Sequence, residues 1–429
     1  MPQHESRITS PNMFVRLWIT LLLLGVVVPP AWADQTTQPA EPVRGTWLTT
    51  TANDAIETPE KTAATMKRLK ELGFNTVYVE CWKNGYTEFP SQAAKAVTGV
   101  EFKINGPGPQ RDLLAEVVRE AKANDLRVIA WFEYGFMAAF KETDNELRQK
   151  TEWLTHTRDG AFVGEQNPFV WMNPLHPGPQ QFLIDIVVEA VENYDLDGVQ
   201  LDDRIAMPVE MGYDEFTKQL YASEHDGAMP PDDPRDPAWV QWRADKITEY
   251  ADRFSKAVRA ADPDLTISVS PAPYPWSLAN YCCDWPAWQD QAWDEFIPQT
   301  YRNAYDAFAN SWQEQTVLMN DDRRGDLIAG ISVNTSRRLV GPQSLLAAAL
   351  DLDAKRGEDG HDQRVEALRE DLDLFLDEHD EMRWHHAAQA MDLAVDYGGG
   401  YCIWFSRGVL EVYPEEFGAY HAEANPKSQ

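Results

Sequence analysis

Asp202 and Asp203 stand side by side at the end of a short apolar run, Gly198-Val199-Gln200-Leu201, which follows the helix-ending stretch Tyr194-Asp195-Leu196-Asp197. Adjacent carboxylic acids at such a place can do acid/base or nucleophilic work on an acetal, the bond that joins sugars. If the run is a strand, Gln200 and Asp202 share one face. Asp203 then lies just past the strand, free to turn toward a cleft, to cap the next segment or to pair with Arg204. Asp202 is the first choice for nucleophile or electrostatic stabiliser.

Acetal hydrolysis needs a second carboxyl group. Glu133 ends the run Arg127–Glu133 in the context Trp131-Phe132-Glu133-Tyr134. Apolar surroundings raise a carboxyl pKa, which suits a general acid. A buried Glu satisfied by Arg or by backbone is the alternative. Glu80, beside Trp82, is the weaker candidate. Gln200, Gln299, Tyr301, Arg302 and Asn334 are polar groups at or near strand ends that can orient a sugar hydroxyl or an acetamide. The chain has 16 Trp. Trp47, Trp82, Trp131 and Trp404 lie on or beside strand-like runs, and Trp171, Trp276, Trp285 and Trp288 lie in long connections. Indole faces stack on the CH surfaces of sugars, so at least two of these are expected in a cleft. No metal or other cofactor is expected. His385 and His386 are adjacent and cannot both face one ion from a helix, and His176 reads as a loop hydrogen-bonding residue.

These side chains need a scaffold that gathers strand ends. Eight β-rich runs recur: Arg44–Thr50, Asn75–Trp82, Arg127–Glu133, Gly198–Asp202, Leu265–Ser270, Glu295–Thr300, Asp326–Val333 and Gly399–Phe405. Most are near-continuous apolar runs, as parallel strands covered on both faces require. Amphipathic helices separate them. Thr58-Pro59 starts one that Gly73 ends. Leu113, Leu114, Val117, Val118 and Ala121 form one apolar face; Leu183, Ile186, Val187, Ala190 and Val191 form another. Ile247, Ala251, Phe254 and Val258 form a third. Eight strand–helix alternations predict an α/β chain folded as a (β/α)8 TIM barrel spanning 43–425. The connections Lys83–Gln110, Tyr134–Gly178, Arg204–Pro237 and Pro271–Asp294 all follow strands. They would build a deep cleft over the carboxyl end of the sheet. An acidic helical excursion is expected about 351–382.

Arg7 and Arg16 precede the apolar run Leu17–Val28, and Ala31-Trp32-Ala33 offers small residues for cleavage. Residues 1–33 therefore read as a signal peptide and 34–42 as a linker, which predicts export to the periplasm or beyond and no stable membrane insertion after cleavage. The net charge of −31 argues against nucleic-acid and anionic-lipid partners. Cys81 and Cys402 read as buried thiols, and a disulfide from Cys282 or Cys283 is open.

Several motifs together resemble the glycosyl-hydrolase-like 10 family of exported bacterial barrel proteins. They are Arg44-Gly45-Thr46-Trp47-Leu48-Thr49, Asn75-Thr76-Val77-Tyr78, Gly85-Tyr86-Thr87-Glu88-Phe89-Pro90-Ser91, Ala130-Trp131-Phe132-Glu133-Tyr134-Gly135-Phe136, Trp171-Met172-Asn173-Pro174, Asp197-Gly198-Val199-Gln200-Leu201-Asp202-Asp203 and Pro298-Gln299-Thr300-Tyr301-Arg302. The resemblance implies a (β/α)8 barrel that hydrolyses glycosidic bonds, with a family member that looks like a cutter of peptide-stripped peptidoglycan strands. The chain departs from the family after Asp203, where Arg204-Ile205-Ala206 stands in place of an aromatic residue or His. Asp202 is also placed similarly to the nucleophile of amylase-type barrels. In chitinase-type barrels a Glu serves as acid where Arg204 stands here. The expected partner is a polysaccharide, and the expected activity is glycoside hydrolysis, with a non-catalytic carbohydrate-binding barrel or a polysaccharide deacetylase as alternatives.

Overall fold

A computed structural model describes residues 41–51, 53–141, 143–164, 167–333, 361, 364–365 and 382–424. Eight parallel strands form the central sheet: β1 (Val43–Leu48), β2 (Thr76–Glu80), β3 (Arg127–Phe132), β4 (Gly198–Asp202), β5 (Thr266–Ser270), β6 (Glu295–Phe296), β7 (Ala329–Ser332) and β8 (Gly400–Trp404). Their hydrogen-bonded order is β6-β5-β4-β3-β2-β1-β8-β7. The ring closes between β6 and β7, where Ile328 N donates to Phe296 O at 2.9 Å and Gly330 N to Pro298 O at 3.1 Å. The fold is a (β/α)8 barrel. All eight predicted runs are strands. β6 is shorter than the 295–300 expected because Pro298 has no N–H for the ladder. The chain stays extended beyond it, with Gln299 N donating to Pro271 O at 2.9 Å.

The first two helices of the outer ring are α1 (Pro59–Glu71) and α2 (Gln92–Thr98), followed by α3 (Leu113–Lys122), α4 (Pro177–Asn193), α5 (Glu215–Glu224) and α6 (Pro237–Ala261). Then come α7 (Trp276–Tyr281), α8 (Tyr305–Thr316), α9 (Trp384–Tyr397) and α10 (Pro414–Ala424). Local chemistry sets α1. The Thr58 hydroxyl accepts from Lys61 N at its start, and Gly73, at φ +91°, supplies the left-handed residue past its end. The predicted apolar faces of α3, α4 and α6 are buried against the sheet. Among the described residues no helix is long and apolar enough to cross a membrane. All four cysteines are buried free thiols. Residues 1–40, Asn334 and nearly all of 351–382 lie outside the described residues.

The barrel interior is filled, so chemistry is confined to its carboxyl end. At the amino end Arg127 donates to Glu295 at 3.1 Å, and the Tyr78 hydroxyl donates to the same carboxyl at 3.0 Å. Trp47, Tyr78, Ile129, Trp131 and Ile328 pack in one cluster inside the ring. The loops over the mouth are held from outside. Arg243 on α6, fully buried, donates to the carbonyls of Val209 and Met211 at 2.7 Å each. This ties down the segment after β4 without any carboxylate.

Candidate active site

The mouth carries two units of the same design, each a cation bridging a buried and a more open carboxyl group. The first is on β4. Arg204 contacts both Asp202 and Asp203. Asp202 ends β4, and its side chain is 3% exposed; the Asp203 side chain is 21% exposed. Asp203 Oδ1 lies 2.8 Å from the guanidinium but lacks the alignment of a hydrogen bond. Gln299, beyond β6, donates to Asp202 Oδ1 at 2.6 Å and to Ser270 O at 3.0 Å. Gly135, at φ +44°, lets the chain after β3 pass close to this unit. A Cβ there would lie 2.6 Å from the Arg204 carbonyl, which accepts from Phe136 N at 3.0 Å.

The second unit lies between β2 and β3. A two-residue turn, Asn84-Gly85, with φ +50° and +83°, pairs Trp82–Lys83 with Tyr86–Thr87. Positive φ at both central residues is the hairpin geometry that Asn-Gly favours. It turns Lys83 back over the barrel mouth. The Lys83 ammonium donates to Glu80 Oε2 at 2.7 Å, Glu133 Oε2 at 3.0 Å and Thr51 Oγ1 at 3.0 Å. Its three donors are thereby used. Glu80 is fully buried, whereas the Glu133 side chain is 12% exposed.

Burial sets the charges of these groups, and the cations modify it. Burial pushes Asp202 well above the usual carboxylate range, against the pull of Arg204 and with help from Asp203 and Glu133. Burial also pushes Asp203 up, against Arg204 and with Glu133 adding to it. Glu80 is raised to about 7 by burial and by the neighbouring Glu133 carboxyl. Glu133 differs. Burial pushes it up, but Lys83 and Arg204 outweigh this and hold it below its ordinary value. The apolar context of Glu133 predicted a raised value. The two cations that reach it from other strands reverse that sign.

Several predicted contact residues are not open to a sugar. Gln200 is fully buried; its amide is used by Trp47 Nε1 at 2.7 Å and Ser268 Oγ at 2.9 Å. Trp47 and Trp131 are buried with it inside the ring. Trp82 is buried outside the ring, its indole donating to Gly135 O at 3.0 Å and its ring facing Phe182 of α4. Trp171, Trp285 and Trp288 are also core residues. Arg302 is partly open, with its guanidinium turned to the Tyr301 carbonyl and to Ser311 of α8. Glu80 is a buried partner of Lys83. The buried ones share one reason: a strand-end position does not decide on which side of the ring, or at what depth, a side chain lies.

Gln299, Tyr301 and Trp404 are partly open. Tyr301 stacks on Trp404 with centroids 6.3 Å apart, and burial followed by Asp202 raises its phenol pKa. Trp276 is 52% exposed at the start of α7. Its ring is 5.4 Å from that of Tyr281, whose phenol lies in the field of Asp203. Sequence reading passed over Lys83, although the Asn-Gly pair beside it is a hairpin signal. It also passed over Ser270, which pairs with Asp202 in register and whose buried hydroxyl has no hydrogen-bond partner among the described residues.

The family model for glycosyl hydrolase-like 10 matches residues 42–335. Glycosyl hydrolase YngK of Bacillus subtilis is 24% identical over 277 residues, covering 59% of this chain and 49% of YngK. Glycosyl hydrolase DigH of Escherichia coli is 25% identical over 275 residues, covering 58% of this chain and 60% of DigH. The matched region is thus about half of the first relative and under two thirds of the second. Among solved structures, the PgaB (BpsB) glycoside hydrolase domain from Bordetella bronchiseptica superposes with a TM-score of 0.55 at 15% identity, covering 90% of this chain and 98% of that one. Alpha-L-fucosidase isoenzyme 2 from Paenibacillus thiaminolyticus gives a TM-score of 0.54 at 15% identity, covering 90% of this chain and 50% of that one. These structural likenesses show the barrel fold, and the family match shows the lineage: the chain belongs to the glycosyl hydrolase-like 10 family.

Proposed function

We propose that this protein hydrolyses glycosidic bonds, with Asp203 as general acid, Glu133 as the ionised carboxylate that activates water or attacks the sugar, and Asp202 as the buried stabiliser beside Asp203. The observation that carries this reading is the divergence of two mouth carboxyls. Burial pushes Asp203 above its ordinary value, while Lys83 and Arg204 pull Glu133 below its own. Paired carboxyls driven apart in this way divide into acid and base. Both are the more open members of their units. Gln299 and Arg204 orient the Asp pair, while Tyr301, Trp404 and Trp276 offer ring faces to the sugar.

The substrate in this reading is a polysaccharide met outside the cytoplasm, an amino-sugar glycan of the cell envelope such as peptide-free peptidoglycan. The signal-like residues 1–33 and the long loops over the mouth support it. The test is a glycan panel incubated with purified protein and read by mass spectrometry and reducing-end release. Cleavage that Asp203→Asn abolishes is expected. Acetate release without new reducing ends would make the protein a deacetylase. Binding without turnover would make it a carbohydrate-binding barrel.

A further inference from the structure

The Lys83 unit continues into a buried chain of carboxyl groups formed by residues at or after the ends of β1 and β2. The Thr49 hydroxyl donates to Glu80 Oε2 at 2.8 Å. The Thr50 hydroxyl contacts Glu80 Oε1 and lies 3.0 Å from Glu88 Oε1. Glu88 is fully buried, accepts from Asn105 N at 3.1 Å, and has no partner for its second oxygen among the described residues. Thr50 has one proton to give and two carboxyl neighbours, an arrangement best satisfied when one of those carboxyls is itself protonated. Like charges so close and so buried cannot all ionise. The groups facing Glu133 are Lys83 and Glu80 from the β2 side, Tyr134 beside it on the chain, and Arg204, Asp202 and Asp203 from β4. Of the two cations, Lys83 is the one within hydrogen-bond distance of it.

We propose that Lys83 is the positioning residue for Glu133: its ammonium, held between Glu80 and Glu133, fixes the Glu133 carboxylate at the mouth, while the fully buried Glu80 and Glu88 hold the remaining protons. This rests on the assignment of Glu133 as the ionised catalytic carboxylate. The asymmetry of the unit follows from burial. Glu80 has no solvent to stabilise its charge, whereas Glu133 has an opening and two cations. The shared ammonium therefore leaves the charge on the outer carboxyl and the proton on the inner one. The hairpin at Asn84-Gly85 holds Lys83 in this role, since the ammonium is also anchored by Thr51.

The test uses full-length protein and two readouts. In kcat/KM against pH on a cleaved glycan, Lys83→Met should move the acid limb upward by about 1–3 units, the usual effect of removing an opposite charge within contact distance. Lys83→Arg should bring it back toward the wild-type position. In pH-difference infrared spectra without substrate, the carboxyl band that Glu133→Gln removes should titrate at higher pH in Lys83→Met. A folded Lys83→Met protein with an unmoved acid limb and an unmoved Glu133 band overturns the proposal. If no glycan is cleaved, the hydrolase reading fails. The infrared titration then decides the positioning role alone. If Lys83→Met does not fold, Lys83→Gln is measured in its place with the same two outcomes.

Discussion

Gln299 donates its side-chain amide to Asp202 at 2.6 Å across the barrel mouth, joining the chain beyond β6 to the end of β4. The same nitrogen reaches Ser270 O at 3.0 Å, so the amide is fixed from two sides. Leaving the buried Asp202 oxygen without its partner costs about 1–3 kcal/mol. Gln299→Ala should therefore lower kcat by about 10- to 100-fold if Asp202 must be held for reaction. Gln299→Glu, which sets a second carboxyl against Asp202, should cost more. Steady-state kinetics on a cleaved glycan decide this, and equal, near-wild-type rates for both variants would contradict the role given to Asp202.

The reactive form needs Glu133 ionised and Asp203 protonated. Glu133 is held below its ordinary value, so the acid limb of kcat/KM should lie lower than for a free glutamate. Asp203 is raised, so the alkaline limb should lie above the free aspartate range. Because Asp202 is coupled to it, that limb belongs to the pair. Asp203→Asn should flatten the alkaline limb and reduce kcat by about 10²- to 10⁴-fold, with glycan binding retained in calorimetry.

Glu80 makes stability depend on pH. Its folded value of about 7 lies above the 4.5 of an unperturbed glutamate. Between those values the folded protein binds more protons than the unfolded chain, so this group's contribution favours folding at low pH and is lost as pH rises. Glu80→Gln removes the titration. Thermal unfolding should show the variant gaining on the wild type from pH 5 to pH 8. A constant offset between the two would refute the assignment.

Trp276 is half-exposed on the segment after β5, beside Tyr281. A sugar ring stacked on it gains about 0.5–1.5 kcal/mol. Trp276→Ala should weaken binding of long glycans by up to about tenfold, and more than it weakens short ones. Intrinsic fluorescence titrations with oligosaccharides of increasing length measure this. Equal losses at every length would remove Trp276 from the cleft.

The placement of the Asp pair was legible in the sequence because it depends on nearby residues. A continuous apolar run makes a buried strand, and the residues that end it stand at the carboxyl edge. The contact set was less legible. Trp47, Trp82 and Trp131 share a strand-end position with Trp404, yet only Trp404 is partly open. Strand alternation states that neighbours point opposite ways, but not which way is inward or how deep the filled layer reaches. The disagreement over Glu133 has the same origin. Its neighbours along the chain are apolar, and its neighbours in space are cations.

The sequence alone determined the eight strand–helix alternations, the long loops over one face and the carboxyl groups at the ends of β2, β3 and β4. Each of these follows from periodicity and turn chemistry within a few residues. The tertiary structure decided in which direction each carboxyl's pKa moves. The field at Glu133 comes from Lys83, 50 residues away along the chain and 3.0 Å away in space, and from Arg204 on the neighbouring strand. Electrostatic interactions depend on distance and burial, and neither exists until the ring has closed.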